Sequence, residues 1–197
     1  MRVIAGTARR LTLVTPKGNT TRPTGDKIKE TLFNILAPDL YGASFVDLFA
    51  GSGGIGIEAL SRGADHAVFI EKDKAAADCI RKNLETTHFT DKATLRRADV
   101  LGALCEIGRS GGYDIIFMDP PYDQGLEKSV LSALVSNDKI CTDDTLVIVE
   151  CSIDNDVSFA TKTGFDVLRI KEYKSSKHVF LKKRRIFDEK SDRPGQL

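Results

Sequence analysis

The sequence predicts an α/β protein with a doubly wound, mostly parallel sheet, and two observations carry this prediction. From position 44 onward, short apolar segments rich in β-branched and aromatic residues alternate with segments of helical period. The short segments are almost continuously apolar, which is typical of parallel strands that helices cover on both faces. The predicted strands are residues 44–50, 66–72, 92–98, 113–119 and 145–151, and the helices between them are 54–63, 74–87, 100–108 and 126–137.

The last two predicted strands form a hairpin. After one further short helix, "FDVLRIKEY" (165–173) and "HVFLKKR" (178–184) both have the composition of strands and are joined only by "KSSK". A parallel connection needs a dozen or more residues, so these strands must be antiparallel. The prediction is therefore a seven-stranded sheet with an antiparallel last strand.

A small basic extension precedes the sheet. "RVIAG" and "RRLTLVT" predict a β-hairpin, and an amphipathic helix is predicted over 26–37, ended by Pro38. The apolar face of this helix excludes Lys27 and Lys29 and consists of Ile28, Leu32, Ile35 and Leu36. The chain then divides into an N-terminal extension of hairpin and helix (1–38), a main domain (39–187) and a frayed tail (188–197).

The composition is that of a soluble globular protein, with 41% hydrophobic and 29% charged residues. No apolar run approaches the roughly 20 residues that span a bilayer, and the first ten residues turn polar too early for a secretory signal. We therefore expect a cytoplasmic protein without a membrane partner. The cysteines lack zinc-ligand spacing and are expected to be buried free thiols; they are Cys79, Cys105, Cys141 and Cys151. The three histidines are far apart and receive no role.

The net charge of +1 conceals two basic ends. Residues 1–30 carry seven basic and two acidic groups, residues 169–185 carry eight and one, and residues 31–168 have a net charge of −10. An acidic body with two basic ends suits a polyanion partner if both ends fold onto one face. The alternative is that both clusters are merely solvated surfaces.

The segment "DLFAGSGGIG" (47–56) joins a predicted strand to a predicted helix through a glycine-rich turn. Such a turn lets backbone N–H groups and a helix N-terminus approach a ligand closely, because Gly51 and Gly53 carry no Cβ. Glu71 follows Gly51 by twenty residues, at the place where a carboxylate binds two ribose hydroxyls. We therefore expect an adenosine-bearing ligand, as in nicotinamide enzymes, flavin enzymes and S-adenosylmethionine-dependent methyltransferases. A tight turn without a ligand is the alternative.

Asp47 begins to separate these ligands. A carboxylate in a buried strand is destabilising unless hydrogen bonds or a cation compensate it. S-adenosylmethionine carries an ammonium and a sulfonium group, whereas a pyrophosphate would be repelled. The alternative is that Asp47 accepts hydrogen bonds from backbone N–H groups of the turn.

Asp119-Pro120-Pro121-Tyr122 follows the fourth strand, at the end where a doubly wound sheet places its reacting groups. Two prolines cannot continue a strand, and their carbonyls are free to accept hydrogen bonds. If Asp119 and the Pro120 carbonyl each accept one N–H of a nucleobase amine, its nitrogen lone pair can turn toward an incoming methyl group. Tyr122 can stack on the base. This chemistry needs no metal.

Together these motifs resemble the nucleic-acid amino-methyltransferases, in which a D/N/S-P-P-Y/F motif follows a glycine-rich cofactor motif. More narrowly, the chain resembles the RsmD family over nearly its whole length, to about Arg185. The segments that carry this resemblance are "MRVIAG", "PKG", "TRPTGDKIKETLFNIL", "DLFAGSGGIGIEALSRGA", "FIEKD", "FMDPPY" and the closing basic strands. This resemblance implies a Rossmann-like class I methyltransferase that uses S-adenosyl-L-methionine and methylates the exocyclic N2 of a guanine in 16S rRNA.

The resemblance also implies roles for individual residues. Those on the cofactor are Asp47, Phe49, Gly51, Ser52, Gly53, Glu71, Lys72, Asp99 on the adenine amino group and Val100 on the ring. The implied catalytic residues are Asp119, Pro120, Pro121 and Tyr122. The implied RNA-binding residues are Arg2, Arg9, Arg10 and Lys17, which contact phosphates, and Arg22, Pro23 and Thr24, which lie at the substrate entrance. The implied partner of a monomeric enzyme is 16S rRNA in the small ribosomal subunit or an assembly intermediate, with ribosomal proteins as a further option.

Two places depart from the family pattern. A second glycine is expected near Arg10, and a Tyr-Gly turn is expected where this chain has "YKSS" (173–176). They leave the shape of the RNA-facing hairpin and of the C-terminal turn open.

Two other functions also stay open: a DNA adenine or cytosine amino-methyltransferase, although a separate target-recognition domain has no room here, and a non-catalytic RNA-binding assembly factor. An oxidoreductase is rejected, because it leaves the D-P-P-Y motif and the basic ends without a role.

Overall fold

A computed structural model of the protein describes residues 1–16, 25–108, 111–121 and 125–185. Seven strands form one sheet: β1 (Ser44–Asp47), β2 (His66–Ile70), β3 (Ala93–Arg96), β4 (Ile115–Met118), β5 (Leu146–Ser152), β6 (Phe165–Glu172) and β7 (Ser176–Lys183). Their spatial order is β3-β2-β1-β4-β5-β7-β6. Strands β1 to β5 pair in parallel, and β7 pairs antiparallel with both β5 and β6. The predicted sheet and its antiparallel last strand are confirmed.

Helices cover both faces of the sheet. They are α1 (Asp26–Leu40), α2 (Gly54–Ser61), α3 (Lys74–Thr87), α4 (Val100–Ile107), α5 (Leu126–Val135) and α6 (Ser158–Lys162). Alternate strand residues point to opposite faces, so Phe45 and Phe117 pack with α1, α2 and α3, whereas Val46 and Ile116 pack with α4, α5 and α6. Two apolar cores on either side of one sheet are the doubly wound arrangement that the sequence predicts.

Helix α2 is buried on all sides. Each of its eight residues is buried, because the N-terminal extension covers the side that faces away from the sheet. The extension contributes Val3, Ala8 and Leu13 to the same core as α1, α2 and α3. A short helix that is buried all round is stable only when both of its sides are covered.

The predicted N-terminal β-hairpin is reduced to one antiparallel bridge, between Arg2 and Thr12. The backbone N–H groups of Ile4 and Ala5 donate to the Glu58 carboxylate at 2.9 and 3.0 Å, and the N–H of Thr7 donates to the Ser61 carbonyl at 2.8 Å. These donors bind α2 and so cannot extend a ladder between two strands. The two segments are still joined by three backbone hydrogen bonds, from Val3 N–H to the Leu11 carbonyl, from Arg10 N–H to the Val3 carbonyl and from Leu13 N–H to the Met1 carbonyl. The sequence pattern is therefore right for two paired segments, and the first of them also binds the helix.

Helix α1 differs from the prediction in two respects. It continues through Pro38 to Leu40, because a proline in the last turn removes only one backbone donor. Lys29, predicted to lie off the buried face, is fully buried. Its ammonium donates to the Arg2 carbonyl at 2.6 Å and lies 3.2 Å from the Glu58 carboxylate, which also accepts from Arg62 at 2.8 Å. An ion pair with these hydrogen bonds makes that burial possible.

The cysteines also depart from the prediction in part. Cys141 and Cys151 are buried, and burial raises the pKa of both thiols to about 11. Cys79 is half-buried and Cys105 is exposed, because each lies on a side of its helix that faces away from the sheet. Across the four described ranges, each helix is too short or too polar to cross a lipid bilayer. The predicted tail at 188–197 lies outside these ranges.

Candidate active site

Four carboxylates line one edge of the sheet. Glu71, Asp47, Asp119 and Glu150 stand at the carboxyl ends of the neighbouring strands β2, β1, β4 and β5. Each follows by two positions a residue of the α1–α3 core, namely Phe69, Phe45, Phe117 and Ile148. Because side chains alternate along a strand, all four carboxylates lie on that same face. In a doubly wound sheet this edge is where ligands bind.

The glycine turn lies beside this row, and its glycines serve different purposes. Gly51 and Gly53 have φ of 53° and 83°, a backbone conformation that favours glycine. A Cβ on Gly51 would enter open space, whereas one on Gly53 would contact Ile57 and Ile80 at 3.3 Å. A Cβ on Gly56 would come 2.3 Å from the Phe69 ring. Gly51 thus leaves space for a ligand, and Gly56 lets α2 approach β2.

Glu71 fixes the turn and still has capacity to bind a ligand. One carboxylate oxygen accepts the Gly51 N–H at 2.8 Å, and the other accepts the Asp73 N–H at 2.7 Å. Each carboxylate oxygen has a second lone pair, so two hydroxyl donors can still be accommodated. The neighbouring Lys72 is exposed.

Asp47 is 1% exposed and lacks full compensation of its charge. Its carboxylate accepts the Gly56 N–H at 3.2 Å, as the alternative from the sequence proposed. Burial nevertheless raises the pKa of Asp47 to about 7, the Gly56 and Phe49 backbone hydrogen bonds oppose this rise, and the Glu71 charge adds to it. A cationic ligand beside Asp47 would supply the missing compensation.

The remaining predicted cofactor residues lie at the same edge. Ser52 is buried in the turn, with its carbonyl accepting from Asn83 at 2.8 Å, and Phe49 is half-buried before the turn. Asp99 follows β3, the neighbour of β2, and caps α4 by accepting the Gly102 N–H at 3.0 Å. Val100 starts that helix and is half-buried. This donor and acceptor set fits a ligand with an amine, a ribose and an adenine.

Asp119 directly follows β4 and lies between Asp47 and Glu150 in the row. Burial raises its pKa to about 8, and the charges of Glu150 and Asp47 act in the same direction. Pro120 is buried behind it and Pro121 is exposed. Tyr122 lies outside the described residues. A carboxyl group with a raised pKa beside a ligand edge is suited to receive a proton.

The predicted RNA residues are spread over the extension. Arg2 is exposed near the start of α1 and pairs with Asp26 at 2.8 Å. Arg9 and Arg10 are exposed in the segment that contacts Ser61, at the far end of α2, about 12 Å along the helix from the glycine turn. Arg10 has a φ of 72°, at the place where the family resemblance implies a glycine. Lys17, Arg22, Pro23 and Thr24 lie outside the described residues.

Sequence reasoning missed two side chains, Glu150 on the strand beside Asp119 and His178 on the strand next to Glu150. Glu150 is buried and accepts a hydrogen bond from His178 at 3.0 Å. Glu150 lies within the apolar run "TLVIVEC", and His178 lies in the last strand. The one available signal was a single acid in an otherwise apolar strand, since the partner of that acid is far away in sequence.

The fold and this edge define a class I, S-adenosylmethionine-dependent methyltransferase. A solved structure of the Escherichia coli protein yhhF matches with a TM-score of 0.81 at 33% identity, covering 93% of this chain and 98% of that one. A Thermus thermophilus protein, TTHA0928, matches with a TM-score of 0.76 at 25% identity, covering 91% of this chain and 98% of that one. The predicted fold class is confirmed.

The chain belongs to the RsmD family, as its motifs predict. The profile of the family described as conserved hypothetical protein 95 matches residues 1–182. Ribosomal RNA small subunit methyltransferase D of Escherichia coli (strain K12) is 37% identical over 155 residues, covering 79% of this chain and 76% of that protein. YlbH of Bacillus subtilis (strain 168) is 39% identical over 173 residues, covering 87% and 92%.

Proposed function

We propose that the protein transfers a methyl group from S-adenosyl-L-methionine to the exocyclic N2 of a guanine in 16S rRNA. The observation that carries the proposal is Asp119-Pro120-Pro121 at the end of β4, directly beside Asp47 and the glycine turn in the strand order. This neighbourhood puts hydrogen-bond acceptors for an amine next to a site suited to a cationic methyl donor. The printed name of the Escherichia coli relative brings small-subunit rRNA into the proposal.

The residues of the glycine turn and of the neighbouring strand ends hold the cofactor. Asp47 pairs with its ammonium group, Glu71 accepts from its ribose hydroxyls, and Asp99 accepts from its adenine amine beside Val100. Phe49, Ser52, Gly53 and Lys72 complete the surroundings. When bound, the cofactor supplies an electrophilic methyl group on sulfur.

Asp119 and the Pro120 carbonyl position the guanine amine. An exocyclic amine is a poor nucleophile, because its lone pair is delocalised into the ring. Two acceptors that bind its N–H groups hold the nitrogen with the lone pair directed at the methyl group and stabilise the positive charge that develops there. Tyr122 stacks on the base, and Pro121 keeps the turn extended.

The basic extension contacts the RNA backbone. Arg2, Arg9, Arg10 and Lys17 neutralise phosphates, and Arg22, Pro23 and Thr24 lie at the entrance. Such contacts give salt-dependent affinity with little base selectivity. Selectivity then comes from the folded shape of a small ribosomal subunit or its assembly intermediate, including any ribosomal protein at the site. We expect a monomer that acts in the cytoplasm.

The test is methyl transfer from labelled S-adenosylmethionine to small ribosomal subunits that lack their native modifications, with naked rRNA and duplex DNA in parallel. Labelled N2-methylguanosine from the subunits is the expected product, and D119A is expected to reduce the rate at least about a hundredfold. The control D91N removes an exposed carboxylate far from the row. Label in DNA alone would favour a DNA amino-methyltransferase, and absence of cofactor binding would favour a non-catalytic RNA-binding factor.

A further inference from the structure

A partly buried row of hydrogen-bonded side chains connects the C-terminal hairpin to the carboxylate row. The Tyr173 hydroxyl lies 3.0 Å from His178 Nδ1, and His178 Nε2 lies 3.0 Å from the Glu150 carboxylate. His178 is fully buried and packs edge-on against Phe117 and Phe180, with ring centroids at 6.0 and 6.5 Å. Neither Tyr173 nor His178 has a part in the proposed binding of cofactor or RNA.

The chemistry of the three groups determines which atom donates each hydrogen bond. An ionised Glu150 carboxylate only accepts, so His178 Nε2 carries a hydrogen and donates to it. In a neutral imidazole Nδ1 then accepts, and the Tyr173 hydroxyl, which lies within reach, donates to it. In this arrangement Tyr173 orients the His178 ring, and His178 fixes the position of the Glu150 carboxyl group.

Glu150 stands next to Asp119 in the sheet. The parallel register of β4 and β5 pairs Met118 with Val149, and the two acids are the next residues on each strand. Glu150 also pairs with His178 in the register of β5 and β7. The charged groups that act on Asp119 are Glu150 and Asp47. Arg169 acts on Tyr173, and the Lys177 ammonium binds the carbonyls of Ile153 and Asn155 instead.

We propose that Glu150, held by His178 and Tyr173, is a positioning residue that strengthens Asp119 as the proton acceptor of the transfer reaction. This inference rests on the proposed function, because methylation of an amine leaves a proton to remove. In the reaction the bond between sulfur and methyl breaks, the bond between nitrogen and methyl forms, and the sulfonium becomes a neutral thioether. The cationic secondary amine then passes one proton to the Asp119 carboxylate, which leaves a neutral amine and a protonated Asp119.

The neighbouring negative charge matters for this last transfer. Glu150 raises the affinity of Asp119 for a proton, and His178 keeps that charge in place by donating to it. Because the bound cofactor is cationic, it favours the ionised form of Asp119 before the transfer. After the methyl group has been transferred, the sulfur is neutral, and the negative charge of Glu150 then favours the protonated form of Asp119.

The test begins with the protein alone. Aspartate carboxyl carbons are labelled with ¹³C, and the Asp119 resonance is identified as the one absent from D119N. E150Q keeps the shape of the side chain and its acceptor for His178, so it removes only the charge. We expect E150Q to lower the titration midpoint of Asp119 by about one pH unit or more. H178F, which keeps the aromatic packing but removes the donor to Glu150, is expected to lower it as well. E172Q, a change of equal charge at an exposed residue, is the control.

Single-turnover methyl transfer to small ribosomal subunits is then followed against pH. We expect the acid limb of the rate profile to move to lower pH in E150Q and the plateau rate to fall about tenfold, while E172Q matches wild type. An unchanged Asp119 midpoint in E150Q overturns the positioning role, whatever RNA is methylated. Failure of wild type to methylate any RNA overturns the proposed function instead, and the titration distinguishes the two failures.

Discussion

Replacing Asp47 by asparagine is expected to stabilise the protein and weaken its cofactor site. Burial raises the pKa of Asp47 from 3.8 to about 7 in the folded protein, whereas the unfolded chain ionises near the ordinary value. Between these two values the folded protein holds a proton that the unfolded chain has released. The contribution of Asp47 to the free energy of unfolding therefore falls as the pH rises from about 3.8 to about 7, and it is lowest above this range.

The size of the effect follows from the shift. About three pKa units at about 1.4 kcal/mol each amount to about 4 kcal/mol, as an order of magnitude. Asparagine does not ionise, and its carbonyl oxygen can still accept the Gly56 N–H that Asp47 binds at 3.2 Å. At about pH 8 we expect the free energy of unfolding of D47N to be about 2–4 kcal/mol higher than that of wild type. At about pH 5.5 we expect this difference to be smaller by about 2 kcal/mol.

The assay is urea denaturation of the cofactor-free protein at both pH values, with D91N as the control for losing an exposed carboxylate. Calorimetric titration with S-adenosylmethionine is expected to show at least about a tenfold loss of affinity in D47N, or about 1.4 kcal/mol. An excess stability that is absent, or that is the same at both pH values, would refute the burial argument. Unchanged affinity would refute the pairing of Asp47 with the ammonium group.

Three further substitutions test the backbone. G6A places a Cβ 1.8 Å from a backbone oxygen of α2 at a φ of +85°; we expect a loss of about 3 kcal/mol or more in urea denaturation and faster proteolysis of the extension. G56A places a Cβ 2.3 Å from the Phe69 ring, which should cost about 1–3 kcal/mol and weaken cofactor binding; the open site G25A is the control for both. R10G relieves a left-handed arginine and should add about 1 kcal/mol while lowering the salt dependence of RNA binding. Equal stability of G6A and G25A, or a destabilised R10G, would contradict these expectations.

Much of the fold was predictable because its signals are local. Helix α3 has the predicted bounds, 74–87, since an Asp73 cap and a helical apolar period surround it. The predicted strands all exist. Strands β1 to β4 are two or three residues shorter than predicted, because polar turn residues at their carboxyl ends belong to the site edge, whereas β5 keeps seven residues and β7 has eight instead of seven. The extension was predicted less well: pairing of Arg2 with Thr12 is a local pattern, but the preference of Ile4 and Ala5 for Glu58 depends on a helix more than fifty residues away.

The site shows the same division. The strand, the glycine turn, the acid and the D-P-P-Y motif follow one another in the sequence itself. This order was enough to determine the class of protein and to predict the residues that hold the methyl donor and the methyl acceptor. Only the tertiary structure decided that Glu150 stands next to Asp119 with His178 hydrogen-bonded to it, because β7 returns between β5 and β6 and brings together residues 28 positions apart. The burial of Lys29 against Glu58 was decided in the same way. A lone histidine, acid or lysine carries no sequence signal of its partner; strand order and packing choose that partner, since a buried charge is stable only where the fold supplies one.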